Sequence, residues 1–326
     1  MKIVCTHPFV KSDLVYLKNN VPNVEFIIPS DYTEKEIMNA CCKGVDVFLG
    51  PPPSEEILKK VVNQLKFIQI PWTGVDNIDF SSCIKLNISC FNSHSNSNAV
   101  AELAIGLLFS LLKKISFHDM ELKKGKWHRP GDPEGFFPPT LLKGKTVGYF
   151  GFGKINQNIY KMLTGVELKH IACVTSSREK EGIKFFNFSE IHDFVSSSDI
   201  IFIAAPLTNQ TQDLFDDFLF SKIKKGGYII NLSRAEIIQE QSLINALKNS
   251  LAGAASDVWY RYPKRGDSRC LPCSKTLLEC ENLIVSPHRA GYERGKLPHL
   301  EDVVENLNRL INNMELKNFI NLERGY

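Results

Sequence analysis

Short apolar runs alternate with segments of helical spacing along almost the whole of this 326-residue chain, and that alternation leaves few folds open. Runs at Lys2–Cys5, Val24–Ile28, Val45–Leu49, Leu65–Ile70 and Ile88–Phe91 read as buried strands, bounded by Pro, Asn, Asp and Gly. Between them, 33–42 and 54–62 carry helical periodicity, and Ser54 ahead of Glu55-Glu56 suits an N-cap. Strands alternating with helices call for a parallel sheet, because each crossover lays a helix over a sheet face.

The polar stretch 92–98 ends this first block. Residues 99–112 are apolar nearly all round, which predicts a buried helix connecting two bodies. Pro130, Pro133, Pro138 and Pro139 make 125–139 a long loop. The alternation then restarts, with strands expected at 146–150, 170–174, 200–204, 228–232, 252–257 and 283–285. Helices are expected at 155–163 and 239–249, and a last one, 301–314, is expected to return to the first block.

The second block opens on Gly151-Phe152-Gly153-Lys154-Ile155-Asn156, set between an apolar strand and a helix. In that setting the first glycine permits a tight turn, and the second lets backbone amides approach a pyrophosphate at the helix N-terminus. The third fingerprint position is Asn156, not glycine, so looser helix-to-strand packing is expected there. The expected fold is therefore α/β. A doubly wound parallel-sheet dinucleotide-binding domain takes 98–292, and a smaller α/β domain takes 1–97 and 293–326. Gly151, Gly153, Lys154 and Ile155 are candidate cofactor contacts.

The following strand ends in Thr175-Ser176-Ser177-Arg178, where NAD-selective folds place a carboxylate on the ribose 2′-hydroxyl. Three hydroxyls and a guanidinium instead suit a 2′-phosphate, so NADP is favoured over NAD.

Composition excludes several other classes. Lys and Arg (39) nearly balance Asp and Glu (36), and the lysines are scattered, which argues against a nucleic-acid partner. No apolar run approaches the ~20 residues that span a bilayer, and no secretory leader is recognisable at Met1–Cys5. Nine cysteines without such a leader suggest reduced thiols in a cytoplasmic compartment. Cys270-Leu271-Pro272-Cys273 has a zinc-knuckle spacing but lacks a second pair, so no metal is expected.

Several motifs, in order and spacing, resemble those of the D-isomer-specific 2-hydroxyacid dehydrogenases. They are Trp72-Thr73-Gly74-Val75-Asp76-Asn77-Ile78, Asn98-Ala99-Val100-Ala101-Glu102 and Gly144-Lys145-Thr146-Val147-Gly148. Further along come Pro206-Leu207-Thr208, Asn231-Leu232-Ser233-Arg234 with Glu240, Asp257-Val258 and Ser286-Pro287-His288-Arg289-Ala290-Gly291. The resemblance runs nearly end to end, and it implies that the smaller domain, 1–97 with 293–326, is a flavodoxin-like α/β substrate domain. It implies that Arg234 binds a substrate carboxylate and carbonyl, a task that suits its planar fork. It implies that His288 is the acid–base group, and that backbone amides of Trp72, Thr73 and Gly74 receive the carboxylate. Ser233, Asp257, Ala205 and Pro206 would lie beside the cofactor. A homodimer built through the cofactor domain is implied as well.

One departure matters. The family pattern Asp-Val-Phe-Glu-x-Glu-Pro reads here Asp257-Val258-Trp259-Tyr260-Arg261-Tyr262-Pro263, so Tyr262 stands where a glutamate supports the histidine. A hydroxyl can orient the ring but supplies no charge. Three explanations stay open: a less basic His288, support from Glu236 or Glu293, or a reaction without proton transfer, as in formate dehydrogenases. Trp259, Tyr260 and Tyr262 could also shape a pocket for an apolar or planar substrate side chain. The implied activity is hydride transfer between a nicotinamide cofactor and a small 2-oxo or D-2-hydroxy acid. The alternatives are a formate-type dehydrogenase and a dinucleotide-sensing, corepressor-like regulator.

Overall fold

A computed structural model describes all residues except 177, 265, 294–297 and 324–326. The chain forms two compact units, Met1–Asn96 with Gly291–Tyr326, and Ser97–Ala290.

The first unit holds β1 (Lys2–Cys5), β2 (Glu25–Ile27), β3 (Val47–Leu49), β4 (Phe67–Gln69) and β5 (Cys90–Phe91) in one parallel sheet of order β2-β1-β3-β4-β5. Ser54 does sit at the N-cap of helix Glu55–Val61, but its side chain makes no capping bond. The helix expected at 301–314 runs Leu300–Ile311 and buries Leu300, Val303, Asn306 and Leu307 in this unit. Asn306 is fully buried. Its amide donates to Gln69 Oε1 (2.8 Å) and to the Lys317 carbonyl (3.0 Å), and the Lys317 amide donates back to it (2.9 Å). A buried amide must have such partners, so the returning helix is tied in register to β4.

The second unit holds β6 (Thr146–Phe150), β7 (Lys169–Val174), β8 (Ile183–Asn187), β9 (Ile200–Ile203), β10 (Tyr228–Asn231), β11 (Gly253–Ser256) and β12 (Leu283–Val285). Its sheet is wholly parallel, in the order β12-β11-β10-β9-β6-β7-β8. Edge strand β8 was not expected from sequence. Lys184 and Asn187 are exposed on it, and its apolar pattern is broken accordingly.

Both faces of this sheet are covered. Phe150, Ile171, Ile201, Ile203 and Ile229 pack on one side, while Val147, Tyr149, Ala172, Ile200, Phe202 and Ile230 pack on the other. Burial on two faces explains why these strands read as continuous apolar runs without alternation. The helix Ser97–Lys113 differs from the all-round burial expected of it. It buries a stripe of Val100, Ala101, Ala104, Leu107, Leu108, Leu111 and Leu112 against this sheet, with Glu102 and Gly106 exposed. The stripe follows the i, i+3, i+4 spacing of a one-faced helix, and each buried leucine stabilises by about 2 kcal/mol.

Candidate active site

Chain order reverses between β6 and β9: β7 and β8 lie on one side of β6, and β9 to β12 run away on the other. Ligands of open α/β sheets bind outside the strand carboxyl ends at such a reversal. The Gly151 turn follows β6 at that point. Gly151 has φ +78°, and a Cβ there would stand 2.8 Å from the Ala204 carbonyl and 3.0 Å from Ala205 Cα. Only glycine fits. Ala205, buried beyond β9, is thus the neighbour of this turn, and Pro206 follows it, exposed, with its carbonyl accepting from Thr211 Oγ1 (2.7 Å).

Gly153, which has no side chain to make a capping bond, is the N-cap of the helix Lys154–Leu163, and a Cβ on it would meet nothing within 4 Å. Uncapped amides with open space before them can take an anion, so the residues present fit a dinucleotide pyrophosphate. Lys154 is exposed and Ile155 half-buried beside them.

The loosening expected from Asn156 does not follow. Its side chain is fully buried and its amide donates to the Gly151 carbonyl (2.6 Å) and to Phe150 (3.3 Å), so it braces the turn from beneath. Its Oδ1 has no hydrogen-bond partner.

Thr175 and Ser176 are exposed at the end of β7, and Ser177 lies outside the described residues. Arg178 Nη1 donates to the Phe152 carbonyl (2.8 Å), which also accepts from Gln157 Nε2 (2.9 Å). Lys180 Nζ stands over the rings of Tyr160 (4.6 Å) and Phe152 (5.7 Å). Two cations therefore flank the dinucleotide turn, and Lys180 is one that sequence spacing did not single out.

The other candidates follow β10, β11 and β12 at the same sheet edge. Ser233 is held by Asn231, whose Oδ1 accepts from its amide (3.1 Å) and whose Nδ2 donates to the Arg234 carbonyl (2.8 Å). Arg234 is half-buried and extended, and its Nη1 also donates to the Ser233 carbonyl (2.9 Å).

Asp257 is buried at the end of β11. Its Oδ1 accepts from Ser286 Oγ (2.5 Å) and the Arg289 amide (2.9 Å), and its Oδ2 from the Ala290 amide (2.8 Å). Its visible work is to hold the turn after β12, a role the motif comparison did not suggest. On that turn His288 takes the left-handed conformation, φ +56°. For a residue with a Cβ this costs about 1–2 kcal/mol, so other bonds must hold it.

Tyr262, which stands at the glutamate's place in the sequence pattern, meets the His288 ring in the fold. Its Oη lies 2.9 Å from His288 Nδ1, the rings tilted at 53° with centroids 5.3 Å apart, and it accepts from the Trp259 amide (3.0 Å). Nε2 of His288 makes no hydrogen bond to a described residue, and an edge of the ring is open to solvent. Surrounding protein nevertheless strips water from the ring and lowers its pKa below 6.5. Asp257 opposes that shift, and the Arg234 charge adds to it. The carboxylate whose field opposes the shift at His288 is Asp257. Burial also raises the Tyr262 phenol above 10, while the Trp259 amide and Arg234 pull the other way. It stays protonated at neutral pH. Arg234, Tyr262, Asp257 and His288 thus share one corner of the second unit.

Trp259 and Tyr260 are the other two aromatic residues of this segment. Both are drawn into the core, the Trp259 Nε1–H donating to the Ser286 carbonyl (2.7 Å) and the Tyr260 hydroxyl to the Ile238 carbonyl (2.7 Å).

In the first unit, Trp72, Thr73 and Gly74 follow β4 at its carboxyl end and are half-buried. Thr73 Oγ1 donates to the Ser93 carbonyl (2.7 Å) and lies 3.0 Å from Asn96 Oδ1, and Asn92 Nδ2 donates to the Thr73 carbonyl (2.8 Å). The loop is held by its side chains and by the Thr73 carbonyl. His7, beyond β1, meets Trp72 edge-on at 4.8 Å.

Among the described residues one set of side chains converges as metal ligands can, Glu121, His128 and Glu134. Lys126 Nζ stands 2.9 Å from Glu134 and 3.8 Å from Glu121, so the chain's own ammonium already balances them. Cys270 is exposed and Cys273 buried, and neither belongs to that set.

Residues 105–290 match the profile of the D-isomer specific 2-hydroxyacid dehydrogenase, NAD binding domain. A D-3-phosphoglycerate dehydrogenase of Archaeoglobus fulgidus is 28% identical over 99% of this chain and 59% of its own length. A glyoxylate reductase of Thermofilum pendens is 31% identical over 70% of this chain and 66% of its own. The chain thus spans less than two thirds of these relatives. In fold, it is similar to a D-lactate dehydrogenase of Lactobacillus jensenii solved with NAD+, at a TM-score of 0.78 and 21% identity over 98% of this chain and 99% of the other. Strand order, dinucleotide turn and matched profile agree, and the chain belongs to the D-isomer specific 2-hydroxyacid dehydrogenase family.

Proposed function

We propose that this protein reduces a small 2-oxo acid to a D-2-hydroxy acid with a nicotinamide dinucleotide, NADPH in preference to NADH. The observation that carries the reading is the shared corner of Arg234 and His288, with Nδ1 of the histidine engaged by Tyr262 and Nε2 left for a substrate. When bound, the dinucleotide supplies the hydride. Arg234 holds the acid through its carboxylate, and so fixes which face of the carbonyl is presented. His288 as imidazolium gives its Nε2 proton to the carbonyl oxygen on reduction, and as neutral imidazole removes it on oxidation.

Retention of both groups favours proton-coupled reduction over formate oxidation, which needs no acid. The preference for NADPH rests on Arg178 and Lys180 beside the dinucleotide turn and on the lack of a carboxylate at the end of β7. Nine free thiols suit a reducing cytoplasm, and among the described residues no helix is long and apolar enough to cross a membrane. A homodimer is also proposed. The helix Ile115–Lys123 buries none of its residues and exposes Ile115, Met120 and Leu122, with Trp127 exposed just beyond it. Sedimentation equilibrium should give twice the chain mass.

The direct test follows NADPH absorbance with glyoxylate, hydroxypyruvate, pyruvate and phenylpyruvate, and chiral analysis of the product. Turnover to the D-hydroxy acid is expected. Tight NADPH binding without turnover on the whole panel would replace the enzyme reading with a dinucleotide sensor. Cofactor reduction on adding formate would replace it with formate oxidation.

A further inference from the structure

We infer that Trp259 is a positioning residue for His288, gripping both the main chain that carries the imidazole and the hydroxyl that orients it. The inference rests on the reading of His288 as the acid–base group.

The turn Ser286–Ala290 lies outside any strand or helix, and His288 on it has φ +56°. Such a backbone persists only where surrounding bonds over-determine it. Asp257 supplies one set. Trp259 supplies another, from inside the core: its Nε1–H donates to the Ser286 carbonyl at 2.7 Å, the carbonyl that also accepts the His288 amide at 3.0 Å. The indole is 5% exposed, so its direction is set by packing. The same residue's main-chain N–H donates to Tyr262 Oη at 3.0 Å, and that oxygen meets His288 Nδ1 at 2.9 Å. Trp259 thus closes a ring of contacts through Ser286, His288 and Tyr262. Phenylalanine could fill the same space but has no N–H for Ser286.

This clamp bears on which ring nitrogen works. A phenol oxygen has two acceptor lobes and one proton. The Trp259 amide takes one lobe, and in the proposed clamp Nδ1–H takes the other, so that Oη accepts twice and its proton turns away. Nδ1 then keeps its hydrogen through the cycle, and Nε2 alone gains and loses one. Should the hydroxyl rotate and donate to Nδ1, the neutral ring would carry its proton on Nε2 and could not accept one from an alcohol. Fixing the turn and the hydroxyl together favours the working tautomer.

The test compares the full-length protein with Trp259→Phe, Tyr262→Phe and the double variant. A fourth variant carries benzothienylalanine at 259, which keeps the bicyclic shape without the N–H, in case phenylalanine unsettles the core. Reductive kcat should fall about 10-fold in Trp259→Phe, with NADPH affinity unchanged. In the Tyr262→Phe background the same change should cost less than 2-fold, because the two residues act on one imidazole. Nitrogen-15 shifts of the His288 ring give a readout independent of turnover. The parent should show Nδ1 protonated throughout, and the 259 variants a mixture of tautomers. Full multiplication of the two single effects, or identical tautomers in the parent and both single variants at 259, overturns the clamp. If the parent turns over no 2-oxo acid, the catalytic reading fails, while the nitrogen shifts still decide the clamp.

Discussion

Two corners lie at the carboxyl edge of one seven-stranded sheet, and they are built in opposite ways. The Gly151 turn is made by backbone: a positive φ, a missing Cβ, and an uncapped helix end. The His288 corner is made by side chains, in which Asp257, Trp259 and Tyr262 reach across from the end of β11 to hold one imidazole. The first admits a single residue type and tolerates neighbours freely. The second admits substitutions, including tyrosine for glutamate, provided the new group still meets the same atom. A backbone site should therefore break by steric failure, and a side-chain site by loss of rate or a moved pH dependence.

The largest break belongs to the second corner. His288→Ala should lower reductive kcat about 10²–10⁴-fold, the usual worth of a positioned acid–base group, with little change in thermal stability. Steady-state rates and a melting curve on the same preparation check both halves. A variant as fast as the parent would remove His288 from the chemistry.

Gly151→Ala should do the reverse. A left-handed conformation costs an alanine about 1–2 kcal/mol, and contact with the Ala204 carbonyl adds to that. A loss of about 2–3 kcal/mol on denaturant unfolding is expected, together with weakened NADPH binding by titration calorimetry. Unaltered stability would mean that the turn adapts more easily than its geometry implies.

This contrast also explains what could be read from sequence. Strand–Gly-x-Gly–helix is local, so the dinucleotide turn and both parallel sheets were legible from order and periodicity. Edge strand β8 was not, because exposed Lys184 and Asn187 blur its apolar pattern. Arg234 and His288 were legible only as members of spaced motifs. The partner of the imidazole was half legible: the sequence shows Tyr262 in the glutamate's place, but only folding shows its hydroxyl on Nδ1. For Trp259 the sequence offered only a pocket role, and its bond to the Ser286 carbonyl was not legible. Its indole N–H has a partner 27 residues away, and no local pattern announces such a bond. Asn156 misled for a related reason, since a side chain in a glycine position braces the turn once its amide finds carbonyls below.

A milder perturbation of the backbone corner is Arg178→Ala. Arg178 supports the Phe152 carbonyl, and under the proposed preference for NADPH it also lends charge to the 2′-phosphate. NADPH affinity should fall about 10-fold, equivalent to ~1.4 kcal/mol, and NADH affinity much less. Equal losses for both nucleotides would make Arg178 a brace for the turn and leave the 2′-phosphate to other groups.

The smallest expected effect at neutral pH sharpens the side-chain corner most. Water stripped from the His288 ring, with Arg234 nearby, puts its pKa below 6.5. Reduction consumes the imidazolium, so reductive kcat/KM should be highest at acid pH and fall as pH rises through that lowered value. Oxidation uses the neutral ring, so its rate should rise through the same range and level off above it. Tyr262→Glu places a carboxylate against Nδ1, which favours the charged ring and raises its pKa. The falling limb of reduction should then move to higher pH by about one unit, so that well above the parent's midpoint the variant reduces up to ~10-fold faster. Near the acid optimum, where both rings are charged, the two proteins should run alike. Superimposable profiles would mean that Asp257 already sets the ring's charge and that the tyrosine serves for orientation alone. A variant slower at every pH would mean that the carboxylate disturbs the Trp259 contact more than it helps the imidazole.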